Sequence, residues 1–398
     1  MKKHLSIIIF DGSLKTTPFI NRLAAGLAQK HKVYIMGFDH HLQKPIPKVN
    51  YIRLGSATQS LKLFWVTLGW ALNGLFKSGS FKGVQQLLKG LGTRNKKSLQ
   101  HYNFNRAIQY LQPDILHVQW PSLLPWCEGL LQKELPNIIL SQRGFQNNVR
   151  PFVDPENKAY LQKIYPQLDG FHSVSKAMEA KGNQIHNDPS QVKRVVYSGF
   201  DLAQLPYEDP QPVPAPLQLL SVGRPHWIKN YPLALKACAL LKQQNIPFQY
   251  TIIGAKGNEE LQYLVRMLGL EEEVQLTARV SQKEVYERMR AATVLLLPSL
   301  AEGMPNVALE AMALGVPVVS SNSGGINEMI IHQKTGWLVS SQDPKEMAQV
   351  MSELPQLAHK ELINITQAAR KKIEVEATTQ TMVQGMESLY TEVCNRDR

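Results

Sequence analysis

Two carboxylates and two cations in the second half of the chain have the types and spacing of a ligand site. Glu302 and Glu310 lie eight positions apart, and Arg224 and Lys229 lie five apart in an earlier segment. A carboxylate can accept hydrogen bonds from two neighbouring hydroxyl groups at once, and paired cations hold anions such as a diphosphate. These four residues therefore favour a ligand that is both anionic and hydroxyl-rich.

The two carboxylates flank a predicted turn from strand to helix. Residues 293–298 form an apolar, partly β-branched run that predicts a buried strand, and residues 311–315 are good helix formers that end at Gly315, a C-cap residue. Pro305 fits the first helical turn or its approach, and Asn306 is the predicted N-cap. The unpaired amides at the start of such a helix favour phosphate.

The two cations follow another predicted strand. Residues 217–223 read as a strand, 224–232 as a loop and 233–244 as a helix, so Arg224 and Lys229 lie at the carboxyl end of a strand. The same alternation of strand and helix recurs along both halves of the chain, beginning with 5–10, 19–30 and 32–37. It predicts an α/β fold of parallel sheets. The chain has neither a G-x-G-x-x-G dinucleotide motif nor a D-x-D metal motif.

The length and one proline-rich stretch predict two domains. The chain has 398 residues, too many for one core, and five of its prolines fall between 206 and 216. We place one domain at 1–205 and the next from 206 to about 380. The three cysteines are odd in number, far apart in sequence and without the spacing of a metal site. This indicates a reducing, cytoplasmic compartment. The apolar run near the start, 5–10, is too short for a signal peptide.

The positive charge lies in the first half of the chain. The net charge is +12, and residues 1–200 hold 26 Lys and Arg against 10 Asp and Glu, or +16. Segment 55–100 is helical in pattern and combines Trp, Phe and Leu with lysines and Arg94. Such a helix either contacts an anionic membrane surface peripherally or packs into the core with its cations solvated. No nucleic-acid motif accompanies the charge, so no nucleic-acid partner is expected.

The run from Pro298 to Ala313, with Glu302 and Glu310, resembles the retaining glycosyltransferases of family 4, also called glycosyl transferases group 1. The pair Gly223-Arg224 with Lys229 matches the Gly-Arg…Lys of that family. The resemblance implies a GT-B fold: two Rossmann-like, doubly wound parallel-sheet domains facing a central cleft. It also implies that a last helix, 381–398, crosses back to brace the first domain.

The resemblance further implies roles for the donor-side residues. Arg224 and Lys229 bind the diphosphate of a nucleotide sugar, most readily a UDP- or GDP-sugar, and stabilise its departure without a metal or cofactor. Glu302 contacts the transferred sugar and Glu310 the ribose. Catalytic roles fall to Glu302, Arg224 and Lys229. The loop and first helical turn complete the cradle through Gly303, Met304, Pro305, Asn306 and Val307.

The acceptor side matches the family less well. Gly12 stands where the family has a glycine-rich loop, and His117 belongs to a PDxxHxH-like run that ends here in Gln119. Arg143 stands where many members have a histidine that contacts the transferred sugar. Arginine cannot act as a base, but its fork geometry suits an anionic acceptor or phosphate. An ordinary surface arginine and a structural histidine are the alternatives.

The expected function is transfer of a sugar to a saccharide or lipid-linked acceptor, in the synthesis of a surface polysaccharide or glycolipid. Two other classes remain open from the sequence. One is a nucleotide-sugar epimerase or phosphorylase of the same fold, although no cofactor-lysine motif supports a phosphorylase. The other is a non-enzymatic basic binding protein.

Overall fold

The structure, a computed structural model, describes residues 4–38, 45–56, 58–78, 85, 96–131 and 133–396. The chain forms two compact units. Unit 1 comprises residues 1–173, 181–199 and 382–398, and unit 2 comprises residues 174–180 and 200–381. The sequence analysis placed its domain boundaries at 205/206 and 380/381, whereas the main changes of unit fall at 199/200 and 381/382.

Unit 1 is built on a parallel sheet. Within the described residues its seven strands have the order β3-β2-β1-β4-β5-β6-β7. They are β1 (Ser6–Ser13), β2 (Lys32–Phe38), β3 (Val49–Arg53), β4 (Ile115–Val118), β5 (Asn137–Gln142), β6 (Gly170–Ser173) and β7 (Val192–Val195). The inner strands are almost wholly buried apolar runs, as expected for a parallel sheet covered on both faces.

Helices cover both faces of this sheet. They are Pro18–Leu27, Ser60–Ser78, Lys96–Leu111, Leu124–Cys127, Phe145–Asn148, Arg150–Val153, Pro155–Ile164 and Thr379–Asn395. Helix Lys176–Asn183 belongs to unit 2 up to residue 180 and to unit 1 from residue 181. The last helix packs its buried face, which includes Met386, Leu389 and Tyr390, into the core formed by Pro18–Leu27 and β1. The end of the chain therefore completes the core of unit 1.

Unit 2 repeats the plan with a second parallel sheet. Its strands, as described, have the order β10-β9-β8-β11-β12-β13. They are β8 (Leu217–Val222), β9 (Phe248–Ile253), β10 (Val274–Thr277), β11 (Val294–Leu297), β12 (Val318–Ser321) and β13 (Trp337–Val339). The helices are Tyr231–Gln243, Glu259–Met267, Gln282–Arg290, Asn306–Leu314, Pro344–Glu353 and His359–Glu376. Two doubly wound parallel sheets of this kind confirm the predicted α/β class with two Rossmann-like domains.

In both sheets the strand order reverses at one point. In unit 1 the reversal lies between β1 and β4, and in unit 2 between β8 and β11. Crossovers leave these neighbouring strands in opposite directions, which opens a crevice at their carboxyl ends where ligands of such sheets bind. Arg224, Lys229 and Glu302 come from the loops at the reversal in unit 2. In unit 1, Gly12 lies near the end of β1 and His117 within β4, whereas Arg143 follows β5.

The segment predicted as basic and aromatic is a helix where the structure describes it. Helix Ser60–Ser78 buries Leu63, Thr67 and Ala71 on one side, so the prediction of a helix packed into the unit holds for that face. The opposite side exposes Leu61 and Trp65. The cations Lys82, Lys89 and Arg94 lie outside the described residues. Among the described helices, none combines the length and apolarity needed to cross a bilayer.

Candidate active site

The donor-side residues of unit 2 come together at the reversal between β8 and β11. The loop after β8 carries Arg224 and Lys229, and the loop after β11 carries Glu302. Because β8 and β11 are adjacent parallel strands, their carboxyl ends lie side by side. Lys229 and Glu302, 73 positions apart in sequence, therefore meet at one edge of the sheet.

Lys229 and Glu302 form an ion pair. The distance from Lys229 Nζ to Glu302 Oε1 is 2.6 Å, and the side chains are 26% and 13% exposed. The hydroxyl of Ser299, which is buried at the end of β11, donates to the same carboxylate oxygen at 2.8 Å. The carboxylate thus has a fixed position, and the ammonium group beside it keeps contact with solvent.

The local backbone conformation positions the Lys229 side chain at the end of β8. Residues Trp227–Lys229 form one turn of 3₁₀ helix, and Asn230 then adopts a left-handed conformation with φ of 49° before helix Tyr231–Gln243 begins. Asparagine tolerates that conformation better than most residues. The Tyr231 hydroxyl donates to the carbonyl of Gly223 at 3.0 Å and ties the helix start to the end of β8.

Arg224 lies on the exposed part of the same loop. Its guanidinium makes no hydrogen bond or ion pair with any of the residues that the structure describes. All five of its N–H donors are therefore available to a ligand. Arg224 and the half-buried Lys229 supply two positive charges at one sheet edge, only one of which is matched by a neighbouring carboxylate.

The Glu302 loop rests on two glycines that follow β12. Gly324 has a φ of +63°, and a Cβ atom there would overlap the backbone carbonyl of Glu302. The amide of Gly325 donates to the carbonyl of Gly303 at 3.2 Å. Ser321, at the end of β12, donates through its hydroxyl to the carbonyl of Ser299. The loop that carries Glu302 is thus held by hydrogen bonds and by close backbone approach.

Helix Asn306–Leu314 begins directly after this loop, and its start corrects the sequence analysis. Pro305 occupies the N-cap position, with an extended φ of −78° and ψ of 101°, and no side chain caps the helix. The prediction that Asn306 is the N-cap was wrong, because Asn306 is the first helical residue. Gly315 has the left-handed conformation predicted for a C-cap, with a φ of +86°.

The other predicted cradle residues are unevenly exposed. Gly303 and Pro305 are buried, whereas Met304, Asn306 and Val307 are partly exposed. The first amides of an α-helix have no partner within the helix. The start of this helix therefore offers amide donors next to the loop that carries Glu302.

Glu310 lies one turn into the helix and is almost fully buried, at 8% exposure. Its Oε1 accepts from the side-chain amide of Gln282 and from the hydroxyl of Tyr286, each at 3.2 Å. Both donors lie four residues apart on helix Gln282–Arg290, so they occupy one face of that helix. They fix the orientation of the Glu310 carboxylate.

In unit 1, the end of β1 places a carboxylate at the reversal between β1 and β4. The pairing of β1 with β2 shifts register between Phe10 and Gly12, so Asp11 lies at an irregularity of the strand. The indole N–H of Trp120, which follows β4, donates to Asp11 Oδ1 at 2.6 Å. Burial raises the pKa of Asp11 to about 6, although the Trp120 hydrogen bond and the charge of Arg143 act in the opposite direction.

The predicted residue His117 lies in the interior of unit 1. It has no exposed surface, and both ring nitrogens are bonded: Nδ1 to the Tyr390 hydroxyl at 2.8 Å and Nε2 to the Ser141 hydroxyl at 2.7 Å. Ser141 also bonds His172 Nδ1 at 2.8 Å. Burial lowers the pKa of both histidines, so both are neutral at pH 7. This geometry matches the alternative of a structural histidine.

The direction of these hydrogen bonds follows from one fixed acceptor. His172 Nε2 contacts the carbonyl of Val196 at 2.9 Å and must donate to it. His172 Nδ1 therefore accepts, and the single proton of Ser141 goes to it. His117 Nε2 then donates to Ser141, and Tyr390 donates to His117 Nδ1. The chain of bonds leaves the Ser141 oxygen as an acceptor only.

Arg143 donates to that oxygen through Nη2 at 3.2 Å. The side chain is buried, at 6% exposure, so the alternative of an ordinary surface arginine was wrong. Its guanidinium lies 4.3 Å from the ring centroid of Phe19, a cation–π contact. Burial lowers the pKa of Arg143 to about 10, so the group still carries its charge at neutral pH.

The structure thus brings Lys229 and Glu302 into contact and places Arg224 in the same loop as Lys229. In unit 1, Gly12 adjoins Asp11 at the end of β1, while His117 and Arg143 share the Ser141 hydroxyl. The sequence analysis missed residues that contact the predicted ones: Gln282, Tyr286, Ser299, Asp11 and Ser141. Only Asp11 carried a signal, since it is the polar residue that ends the first predicted strand.

The described residues contain no cluster of three His, Cys, Asp or Glu side chains that could hold a metal ion.

Comparison with known proteins agrees with the geometry of unit 2. Residues 209–372 match the family model described as "Glycosyl transferases group 1". The chain is 34% identical over 211 residues to the putative colanic acid biosynthesis glycosyltransferase WcaL of Escherichia coli K12, covering 50% of this chain and 51% of that protein. It is 39% identical over 168 residues to the amylovoran biosynthesis glycosyltransferase AmsK of Erwinia amylovora, covering 40% of this chain and 41% of that one.

These alignments span about half the length of the curated relatives that the chain matches. Solved structures extend the similarity in fold to nearly the whole chain. Sucrose-phosphate synthase of Thermosynechococcus elongatus superposes with a TM-score of 0.76 at 17% identity, covering 97% of this chain and 98% of that one. HepE of Anabaena, solved with UDP and glucose, superposes with a TM-score of 0.71 at 16% identity, covering 98% and 100%.

The matched range contains β8 to β13, the loops that carry Arg224, Lys229 and Glu302, and the helix that carries Glu310. The family match and the predicted donor-side residues therefore lie in the same half of the chain. Residues 209–372 therefore match the group 1 glycosyl transferase family, in a chain whose fold is that of GT-B proteins.

Proposed function

We propose that the protein is a retaining glycosyltransferase that moves a sugar from a nucleotide-diphosphate sugar to a saccharide or lipid-linked acceptor. The observation that carries the proposal is the Lys229–Glu302 ion pair beside the exposed Arg224, at the reversal point of the unit 2 sheet. The names of WcaL and AmsK associate those relatives with colanic acid and amylovoran biosynthesis. We extend this to synthesis of a surface polysaccharide or glycolipid here.

Arg224 and Lys229 are the proposed diphosphate ligands. As the bond between sugar and phosphate breaks, negative charge grows on the leaving diphosphate, and fixed cations stabilise that charge most when they are already in place. The ammonium group of Lys229 has three donors, so it can keep its contact with Glu302 and still bind phosphate. We propose that these side chains do this without a metal ion or a cofactor.

The two carboxylates have separate proposed roles. Glu302, which Ser299 and Lys229 hold at the end of β11, would accept from hydroxyl groups of the transferred sugar. Glu310, oriented by Gln282 and Tyr286, would accept from the ribose diol. Backbone amides of Gly303, Met304, Asn306 and Val307 would complete the cradle around sugar and phosphate. HepE was solved with UDP, which makes a uridine donor the first to test and a guanosine donor the second.

We further propose a peripheral contact with an anionic membrane surface through helix Ser60–Ser78. Leu61, Trp65 and Leu72 are 77%, 65% and 41% exposed, and at 100° per residue they fall within about 40° of one another on the helix. The exposed Lys62 adjoins this stripe, and the first half of the chain carries the positive charge. An apolar stripe edged by cations is typical of helices that lie in a membrane interface.

A donor screen tests the proposed activity. The protein is incubated with UDP-, GDP- and ADP-sugars, and the thermal unfolding midpoint is measured, since a bound donor raises it by mass action. We expect one nucleotide class to raise the midpoint and to be consumed by transfer or slow hydrolysis. If no nucleotide sugar shifts the midpoint, or if the sugar is isomerised without an acceptor, the proposal is wrong.

A further inference from the structure

Arg143 has too few partners for a buried charge. Its recorded interactions are one hydrogen bond of 3.2 Å to Ser141 and the contact with the Phe19 ring, and its buried Nε has no hydrogen-bond partner. Among the described residues no carboxylate oxygen lies within 4.0 Å of its guanidinium. A buried charge without a counterion is costly, and removal of a guanidinium from water is among the larger such costs.

Asp11 is the acidic residue whose charge acts on Arg143, but it is not a hydrogen-bond partner of the guanidinium. Asp11 interacts with Arg143 through its charge, but the hydrogen bond recorded for its carboxylate comes from Trp120. The two histidines beside Ser141 are neutral and fully bonded within the chain of hydrogen bonds. Nothing in that cluster can neutralise the guanidinium by direct contact.

The guanidinium faces a recess of unit 1. The recess opens to solvent, and a water-sized sphere can occupy only about 10 Å³ of it. Its walls come from helix Pro18–Leu27, from the ends of β5 and β7 and from the last helix, through Phe19, Leu23, Arg143, Val196, Ser198 and Met386. That is room for about one water molecule. One oxygen atom of a carboxylate or phosphate fits it, with the rest of the charged group at the mouth.

Several features fix the guanidinium in its place. Ser141 can only accept from it, because the proton of Ser141 is committed to His172, and the Phe19 ring covers one face. A planar guanidinium held in this way presents its remaining N–H donors in a fork that matches a carboxylate or phosphate. The buried bonds from Tyr390 through His117 to Ser141 then have a function: they position Arg143.

We propose that this recess binds an anionic group of the acceptor, a carboxylate or a phosphate, and that Arg143 selects acidic acceptors. The inference rests on the proposed glycosyl transfer, since it names the class of acceptor for that reaction. Arg143 and Ser198 line the site, and neither the Ser198 hydroxyl nor Arg143 Nε has a hydrogen-bond partner among the described residues. A neutral acceptor would leave the guanidinium uncompensated.

The test uses three matched probes and the full chain. Binding of methyl glucuronide, methyl glucoside and methyl glucoside 6-phosphate is measured by ligand-observed NMR titration at low salt. A charge-assisted pair predicts affinity at least about tenfold higher for an acidic probe than for the neutral glucoside. Preference for the glucuronide identifies a carboxylate acceptor, and preference for the 6-phosphate identifies a phosphorylated one.

Three variants show whether Arg143 is responsible. Arg143→Gln is expected to lose the preference for acidic probes, Arg143→Lys to keep part of it, and Lys163→Gln, which removes an exposed cation of unit 1, to keep all of it. Binding of a nucleoside diphosphate, which tests the proposed donor site in unit 2, is measured on the same samples and shows that each variant is folded.

The outcomes separate the two proposals. If the nucleoside diphosphate binds but all three probes bind equally weakly, or if Arg143→Gln retains the acidic preference, the acceptor inference is overturned and the proposed transferase activity stands. If the acidic preference depends on Arg143 but no nucleotide binds, the anion site stands and the proposed donor site fails.

Discussion

At the scale of single residues, Glu310 offers a test of the proposed ribose contact. A carboxylate that accepts from both ribose hydroxyls should distinguish a ribonucleotide from its 2′-deoxy counterpart. We expect wild-type protein to bind the ribonucleoside diphosphate about tenfold more tightly or better. Glu310→Ala should bind both weakly and equally in calorimetry. The account of Glu310 fails if the variant keeps the preference for the ribonucleotide.

Tyr286→Phe serves as the companion to that measurement. It removes one of the two hydrogen bonds that orient the Glu310 carboxylate and leaves the carboxylate itself. We expect an intermediate preference, because Gln282 still holds Oε1. A Tyr286→Phe protein that keeps the full wild-type preference would show that this hydrogen bond does not orient the carboxylate for the ribose.

Asp11 predicts a dependence of stability on pH. Its pKa in the folded protein, about 6, lies above the ordinary value of 3.8. The fold therefore favours the protonated form, and its contribution to stability is complete below about pH 4 and is lost as the pH rises through about 6. Asp11→Asn should be more stable than wild type at pH 8, by on the order of 1–3 kcal/mol, and nearly equal to it at pH 4.

Thermal unfolding at pH 4, 6 and 8 measures this difference. Glu156→Gln, which removes an exposed negative charge of unit 1, is the control and should show little change with pH. The assignment is contradicted if Asp11→Asn is destabilised at pH 8, or if its difference from wild type is the same at all three pH values.

At the scale of elements, the loop that carries Glu302 depends on Gly324. A methyl group there would meet the carbonyl of Glu302, in addition to the strain of a φ of +63°. We expect Gly324→Ala to shift the loop and to lower affinity for the nucleotide sugar by about tenfold or more, a change of at least ~1.4 kcal/mol.

Gly269→Ala is the control that separates backbone strain from displacement of the loop that carries Glu302. Gly269 has nearly the same φ, +64°, but a Cβ atom there would meet nothing within 4 Å. It should lose on the order of 1–2 kcal/mol of stability from backbone strain alone and bind donor normally. Equal donor affinity in the two variants would show that the contact between Gly324 and Glu302 does not shape the site.

The order of elements was predictable from the sequence, whereas several contacts were not. Strands such as 217–223 and 293–298 were found because buried parallel strands are continuous apolar runs. The strand Val49–Arg53 was missed because it is short and follows two prolines, which favour a loop. Asn306 was misplaced by one position because both Pro305 and Asn306 suit a helix start. Boundaries of this kind depend on local dihedral angles that composition does not determine.

The partners of the predicted site residues were harder to find for a physical reason. Gln282 and Tyr286 reach Glu310 only because their helix packs beside Asn306–Leu314, and nothing in the local sequence specifies that neighbour. The surroundings of Arg143 come in the same way from distant elements: its guanidinium lies over the Phe19 ring, and it lines a recess together with Met386 of the last helix. Strand ends can be read from one sequence, but the side chains that converge on them come from distant elements.

At the scale of the whole molecule, the exposed stripe of helix Ser60–Ser78 predicts membrane association. We expect the protein to co-sediment with vesicles that contain anionic lipid, to bind neutral vesicles less, and to be released by salt. Replacement of Leu61 and Trp65 by serine should abolish sedimentation. Trp227→Ser, which removes an exposed tryptophan of unit 2, is the control and should sediment normally. Equal binding by all three proteins would contradict the assignment to this helix.

The central claim is that the sheet edge of unit 2 binds and activates a nucleotide-sugar donor through Arg224, Lys229 and Glu302. Lys229 is the sharpest position to change, since it contacts Glu302 at 2.6 Å and is proposed to contact the leaving diphosphate. Lys283→Ala, which removes a lysine whose side chain is 89% exposed, is its matched control.

The most direct measurement is therefore kcat/KM for consumption of the donor identified in the screen, compared among wild type, Lys229→Ala and Lys283→Ala. Removal of one preorganised group that stabilises developing negative charge costs on the order of 10²–10³ in rate. We predict a loss of that size for Lys229→Ala and none for Lys283→Ala. A folded Lys229→Ala protein that consumes the donor at the wild-type rate would contradict the account.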